Sequence, residues 1–356
     1  MRAATILLDV GQDGILRPIG NRPVSNSEFI DGPIANRPQV TNLPYIGSML
    51  RIVSLIASAS EIIHALGLTP YQVGRSHECD YPDEIHSLPI CTKPSFPISG
   101  NSAEIDRLVK ERIVNALSVY EVFQDVLDSL QPTHIVTQTQ CRVCAVSLED
   151  VERALAGSVT SRPKLVALEP NALEDIWSDI RRVAVACGVA ATGEEMVFSY
   201  QDRMRQISTG ARRAASKPRV ACIEWHEPLM AAGNWVPELI DMAGAVNLFG
   251  HPGLHSPWMT WDELIASDPD VIITMPCGFD LKRTRDEMYW LTDNPNWPKL
   301  RAVQSGEVYL TDGNQYMNRP GPRVVESLQI LAEILQPDQF EPKLKGLGWE
   351  RWNVNE

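Results

Sequence analysis

One pattern limits what this chain can fold into more than any other. Short β-branched runs alternate with helical stretches, the alternation stops across a long strand-free stretch, and then it begins again. Strands separated by helices pair in parallel, because only a crossover can carry the chain back to the starting edge of the sheet. The first series predicts strands over 51–55, 71–75, 133–138 and 164–168. Helices are expected over 58–66 (closed by Gly67), from Ser102 to Leu130 with a break, and from Ser147 onward. The strand-free stretch, about Leu173 to Ala215, reads as helix interrupted near Gly188 to Thr192. The second series predicts strands over 219–224, 271–275 and 307–310. Its helices cover 235–243, stopped by Gly244, then 261–266, capped by Thr260, and the closing 322–335.

The expected fold is therefore α/β, with two Rossmann-like lobes whose parallel-type sheets are joined by a long helix. The boundaries read as an irregular arm over 1–50, an N-terminal lobe over 51–170, a linking helix region over 171–217, a C-terminal lobe over 218–337 and a tail over 338–356. The 356 residues suit two lobes of about 150 each. The arm repeats Asn-Arg-Pro at Asn21 and Asn36, but two copies make no solenoid.

A net charge of −13 argues against nucleic acid as a partner, since phosphate backbones need a basic face. The apolar run 6–10 is too short to span a bilayer, and Asp9 and Asp13 break any secretory apolar core. As it stands the sequence reads as cytoplasmic, or as periplasmic if its start is incomplete. The odd count of seven cysteines argues against a disulfide framework.

Several stretches carry a resemblance. Arg51-Ile-Val-Ser-Leu-Ile-Ala-Ser-Ala-Ser-Glu-Ile-Ile63 leads into Leu66-Gly-Leu-Thr-Pro70. Pro218-Arg-Val-Ala-Cys-Ile-Glu224 leads through Gly233-Asn-Trp-Val-Pro-Glu-Leu239 to Ala243-Gly-Ala-Val-Asn247. Thr260-Trp-Asp-Glu-Leu-Ile265 leads into Asp268-Pro-Asp-Val-Ile-Ile273. Together these resemble class III, helix-linked substrate-binding proteins over roughly 51–337. Arg75-Ser-His-Glu-Cys-Asp-Tyr-Pro82 and Met275-Pro-Cys-Gly-Phe-Asp280 are similar to the cobalamin-binding members. The resemblance implies a ligand held between two rigid lobes. The implied ligand is a corrinoid such as cobalamin, or alternatively a siderophore- or haem-type chelate. It also implies an ABC permease partner that docks on an acidic residue of each lobe, here Glu104 and Asp262 (or Glu263).

The residues themselves point to the same cleft. In open α/β sheets ligands sit at the carboxyl ends of strands. Four such ends deliver Ser76-His77-Glu78-Cys79, Cys141-Arg142-Val143-Cys144, Trp225-His226 and Pro276-Cys277-Gly278. Flat rings suit a flat macrocycle. Tyr81, Trp225, Trp258 and Phe279 are therefore candidate ligand contacts, with core packing as the alternative. His77 and His226 are candidates to hydrogen-bond the ligand or ligate its metal. Cys79, Cys141, Cys144 and Cys277 form a candidate thiolate set for zinc, an iron–sulfur cluster or an incoming metal, with buried free thiols as the alternative. Cys91, Cys187 and Cys222 read as packing. No G-x-S-x-G elbow, P-loop, glycine fingerprint or zincin motif is present. A non-catalytic binder, a metal-cluster protein on the same scaffold and a chelate-processing enzyme remain. Colour separates the first two, because corrinoids and iron–sulfur clusters absorb differently.

Overall fold

The computed structural model describes residues 8–10, 16–18, 50–96, 100–114, 119–139, 148–157, 159–214 and 216–353. The chain divides into two units, Met1–Pro38 and Gln39–Glu356. In the first, strands β1 (Leu8–Val10) and β2 (Leu16–Pro18) pair antiparallel.

The second unit carries the two series of elements. Its N-terminal lobe runs β3 (Ile52–Ser54), α1 (Ala57–Ala65), β4 (Gln72–Arg75), β5 (Thr92–Pro94), α2 (Ser102–Val114), β6 (Tyr120–Val122), α3 (Gln124–Leu130), β7 (His134–Gln138), α4 (Leu148–Gly157) and β8 (Lys164–Leu168). The sheet order is β4-β3-β7-β8, all parallel, with Val53 opposite Ile135 and Ile135 opposite Leu165. β3 is buried throughout, as expected of a strand covered on both faces. Val53, Leu55, Leu127, Ile135 and Val151 form the lobe's core. The sequence predicts one broken helix from Ser102 to Leu130. The chain instead inserts β6 between α2 and α3 and pairs it antiparallel with β5. Three residues pairing with a short partner leave no periodicity strong enough to read.

Two helices follow, α5 (Leu173–Ala186) and α6 (Ala190–Ala211), broken near Gly188 as the sequence predicts. The 22 residues of α6 span about 33 Å, enough to run along both lobes. The C-terminal lobe then runs β9 (Arg219–Trp225), β10 (Met230–Ala231), α7 (Val236–Met242), β11 (Val246–Asn247), α8 (Trp261–Ser267), β12 (Val271–Thr274), α9 (Leu281–Asp286), α10 (Tyr289–Thr292), α11 (Arg301–Gln304), β13 (Val308–Thr311), α12 (Val324–Leu335) and β14 (Trp349–Arg351). β9, β12 and β13 are parallel. β10 and β14 close the two edges antiparallel, and β11 pairs with the start of β9. β14 lies beyond the strand that the sequence reading took as the last. Its Trp-Glu-Arg carries no strand signal, and it is held by Glu333, which accepts the Trp349 indole N–H at 2.8 Å.

Helix ends are set by local chemistry. α1 and α7 each stop at a glycine in the left-handed region, Gly67 (φ 74) and Gly244 (φ 77). The Leu68 N–H reaches Ile63 O and the Ala245 N–H reaches Ile240 O, the closing bonds of a Schellman motif. Thr260 and Glu263 form a reciprocal capping box at the start of α8.

The α5–α6 contact depends on one missing side chain. A Cβ at Gly193 would lie 2.4 Å from that of Ala184. Gly193→Val should therefore force α5 and α6 apart and lower stability by about 1–3 kcal/mol, read as a shift in urea midpoint. Gly188→Ala is the contrast: its Cβ would meet nothing within 4 Å, so only the left-handed backbone penalty of about 1–2 kcal/mol applies.

Candidate functional site

Segments that follow strands of the two sheets are in contact. The loop after β4 is tied to the segment after β13: Asn314 Nδ2 donates to Asp80 Oδ2 at 3.0 Å, and Arg319 pairs with the same carboxylate. Behind this contact, Arg319 Nη1 donates to Glu61 Oε1 at 3.1 Å and Arg323 Nε to Glu61 Oε2 at 3.0 Å. The Arg323 guanidinium also lies 4.5 Å from the Tyr81 ring centroid and 5.4 Å from that of Tyr316. The side chains of Glu61, Arg319 and Arg323 are 1%, 5% and 8% exposed. Burial opposes the charge on Arg319, but the Glu61 and Asp80 carboxylates outweigh it and raise its pKa. Burial would likewise raise Asp80, and Arg319 reverses that too.

The N-lobe wall of the cleft is built on the loop after β4. His77 Nδ1 is 2.9 Å from Thr92 Oγ1, and its ring tilts against Tyr120 at 5.4 Å. Its Nε2 is buried without a hydrogen-bond partner among the described residues. Burial lowers the His77 pKa, so the ring is neutral near pH 7. Glu78 is packed around by protein yet keeps 35% of its side chain open, as a cleft wall does. Tyr120 Oη donates to it at 3.1 Å. Desolvation pushes its carboxyl up to about 7, with Asp80 adding to the rise and Tyr120 and Arg319 opposing it. Tyr81 sits edge-on to His64 at 5.4 Å, beneath Arg323.

The C-lobe wall begins where β9 ends. Trp225 tilts against Phe279 at 5.3 Å, and the Arg283 guanidinium covers the far side of Phe279 at 3.9 Å. The indole N–H of Trp225 is buried with no partner among the described residues. Phe279 is itself buried, so it backs Trp225 rather than facing the cleft. Trp258 is 55% exposed, with Lys110 Nζ at 4.8 Å from its ring centroid. His226 is sealed within the lobe, its Nε2 2.5 Å from Thr274 Oγ1. Burial drives its pKa down to about 4, so it is a neutral interior group.

The candidate thiolates are not brought together among the described residues. Cys79 is buried with Sγ 3.8 Å from Ser54 Oγ, and burial raises its pKa, away from the thiolate a metal requires. Cys277 is half-buried at the end of β12, its N–H on Glu224 O at 3.3 Å. Cys141 and Cys144 lie outside the described residues. No group of three or more His, Cys, Asp or Glu among the described residues is placed to hold a metal ion, which leaves the zinc and iron–sulfur readings without support. Glu104 and Asp262 are both exposed in the first turns of their helices, α2 and α8, where acids are favoured by the dipole.

The sequence reading passed over Glu61, Asp80, Asn314, Arg319, Arg323, Arg283 and Glu287. A signal was present: Glu61 interrupts an otherwise apolar and small α1, where every residue from Ala57 to Ile63 is buried. A lone charge on a buried helix face demands a partner.

Two outcomes follow. Glu61→Leu strips Arg323 of its carboxylate and should cost about 3–5 kcal/mol in denaturant unfolding, the range for breaking one side of a buried pair. For Glu78, the folded carboxyl holds its proton more tightly than the unfolded chain does. Its contribution is therefore complete below about 4.5 and is lost as pH rises toward about 7. Thermal melts of wild type beside Glu78→Gln, from pH 4.5 to 8, should show the wild type declining across that window and the variant declining less.

A family model for periplasmic binding proteins matches residues 52–315. The vitamin B12-binding protein of Vibrio cholerae is 20% identical over 293 residues, covering 80% of this chain and 89% of that protein. The uncharacterized ABC transporter substrate-binding lipoprotein YvrC of Bacillus subtilis is 20% identical over 298 residues, covering 82% and 81%. Among solved structures, the periplasmic heme-binding protein RhuT from Roseiflexus sp. RS-1, in apo form, superposes with a TM-score of 0.61 at 22% identity, covering 82% of this chain and 100% of that one. No helix among the described residues is long and apolar enough to cross a membrane. With the two-lobed α/β architecture and a match over most of its length, the chain belongs to the periplasmic binding protein family.

Proposed function

We propose that this protein binds a corrinoid between its lobes and delivers it to an ABC-type permease, without catalysing a reaction. The observation that carries the reading is the placement of His77 and Trp225, one from each lobe, with His77 Nε2 and the Trp225 indole N–H lacking a hydrogen-bond partner among the described residues and Glu78 Oε1 3.8 Å from His77 Nε2. Each is buried at a strand end beside an aromatic ring, Tyr120 and Phe279 respectively. Buried polar atoms in folded proteins nearly always have partners. A macrocycle bordered by amides would supply both while stacking on Trp225, Trp258 and Tyr81. The name of the Vibrio cholerae relative supports a corrinoid, and that of the Roseiflexus structure supports haem. Haem carries carboxylates, and Arg319 and Arg323 already serve Glu61, which favours a ligand without them; Arg283 and Arg75 donate to backbone carbonyls and keep their charge. In this reading His226 is structural, Phe279 supports Trp225, and Glu104 and Asp262 are the permease-facing acids.

Isothermal titration with cyanocobalamin, and separately with hemin, tests it. The expected result is one-to-one binding of cyanocobalamin, with Trp225→Ala weakening it at least tenfold, about 1.4 kcal/mol. Binding of hemin alone would replace the corrinoid with haem. No heat and no spectral change with either at tens of micromolar would overturn the chelate reading.

A further inference from the structure

Every residue of α12 except Gln329 is buried, and Glu333 sits among them at 2% exposure. A carboxylate taken so far from water needs donors. Gln329 of the same helix supplies one, to Oε1 at 3.1 Å. The other two come from the C-terminal segment: the Leu344 N–H at 3.0 Å and the Trp349 indole N–H at 2.8 Å, both to Oε2. Gly348, between them, fits because it lacks a side chain. A Cβ there would lie 2.4 Å from Ile330 Cδ1 and 3.2 Å from Tyr316 Cε2. The segment then runs on as β14 along β13, with Glu350 paired to Arg285 and Arg351 to Glu307.

The segment reaches beyond its own edge of the sheet. Gly348 O accepts the Asp312 N–H at 2.9 Å, where β13 gives way to the turn Gly313–Met317. Asp312 in turn accepts the Gln315 N–H at 2.6 Å. Tyr316, against which Gly348 packs, has its ring 5.4 Å from the Arg323 guanidinium. Between these two tail-touching residues stand the two that meet the other lobe and its arginines. Asn314 donates to Asp80 at 3.0 Å and accepts from Arg319 at 2.9 Å, and Gln315 accepts from Arg323 at 3.2 Å. The turn has a second anchor at the end of β12, where the Asn314 N–H reaches Phe279 O at 3.0 Å and Asn318 Nδ2 reaches Met275 O at 2.8 Å. That anchor fixes the turn to the sheet; the tail fixes Asp312 and Tyr316, on either side of the contact residues. We propose that the C-terminal segment 344–352 is a positioning brace for the contact between the lobes. Its seating on Glu333 sets where Asn314 and Gln315 stand and, through Asp80, sets the N-lobe loop that carries His77 and Tyr81. The coupling does not depend on what the protein binds.

A contiguous path couples two places only if a change at one end is felt at the other. Hydrogen exchange of the full-length protein, followed by mass spectrometry without ligand, tests this. Trp349→Phe keeps a ring and removes the donor to Glu333; Gly348→Ala keeps the donor and crowds Ile330 and Tyr316. In each, peptides over 344–352, 312–319 and 76–82 should exchange at least threefold faster than in wild type, while β7 and β8 stay unchanged. Faster exchange confined to 344–352 overturns the brace, since the tail would then close its own sheet edge and nothing more. Equal acceleration that includes β7 and β8 overturns it too, because the bond would belong to the stability of the whole fold. So does unchanged exchange over 312–319 in both variants. Asp80→Ala, which removes the N-lobe end of the contact, supplies the second arm. Adding Trp349→Phe to it should accelerate 76–82 less than Trp349→Phe does in wild type. The same acceleration in both backgrounds overturns transmission through Asp80.

Discussion

Two carboxylates from one lobe meet two guanidiniums from the other, with Glu61, Arg319 and Arg323 buried and Asp80 37% exposed. Glu61 and Asp80 belong to the N-lobe, and Arg319 and Arg323 to the C-lobe. The charges are thus segregated by lobe, and neither lobe satisfies its own. Such a cluster contributes little net energy relative to apolar packing, because dehydrating its buried charges offsets most of their attraction. What it imposes is registry. Guanidinium forks accept carboxylates in few geometries, and Tyr81 and Tyr316 flank Arg323 on the remaining sides. The relative orientation of the two sheets, and hence the spacing of His77 from Trp225, follows from that geometry.

The linking helices reinforce it from another direction. The Leu173 N–H at the start of α5 donates to Glu238 of α7 at 2.8 Å, and Arg203 of α6 pairs with Glu326 of α12 at 3.3 Å. α5 and α6 are thereby each fastened to the C-lobe, while Gly193 lets α6 press onto α5. A helix fixed in this way transmits lobe position rather than bending between lobes.

Most of the fold was legible because its signals are local. β-branched runs marked the buried parallel strands, and Gly67, Gly244 and Thr260 marked helix ends through φ preference and capping chemistry. The strands that escaped, β1 and β2 in the stretch read as an irregular arm and β5, β6, β10, β11 and β14 elsewhere, are two or three residues long, too short for any period to show. The site was legible to the same degree. The strand-end rule picked His77, Tyr81, Trp225 and Phe279, and the structure places each of them just past or at a strand end, with Phe279 buried behind Trp225. It did not separate Trp225, half-buried at the end of β9, from His226 one residue later, which is buried against Thr274. Alternation along a strand turns successive side chains to opposite faces, and which face is the cleft depends on the other lobe. The ionic cluster was missed for a related reason: Glu61 and Arg319 are 258 residues apart.

Rigidity of this kind has a consequence for affinity. Association loses translational and rotational freedom whatever the partner, and further loss comes from ordering loops and lobes. Here the second loss is reduced, because the lobes are already joined by the Glu61–Arg319–Arg323 cluster. On the proposed reading, binding energy depends on how well a ligand fits fixed positions: a ring face against Trp225, an acceptor for its indole N–H and a partner for His77 Nε2. A ligand that satisfies one of these without the other leaves a buried polar atom unpaired, at a cost of about 1–3 kcal/mol. Walls that do not adapt discriminate by that penalty. A preorganised cleft of this construction therefore selects for the spacing of polar groups around a flat ligand as much as for the ring itself.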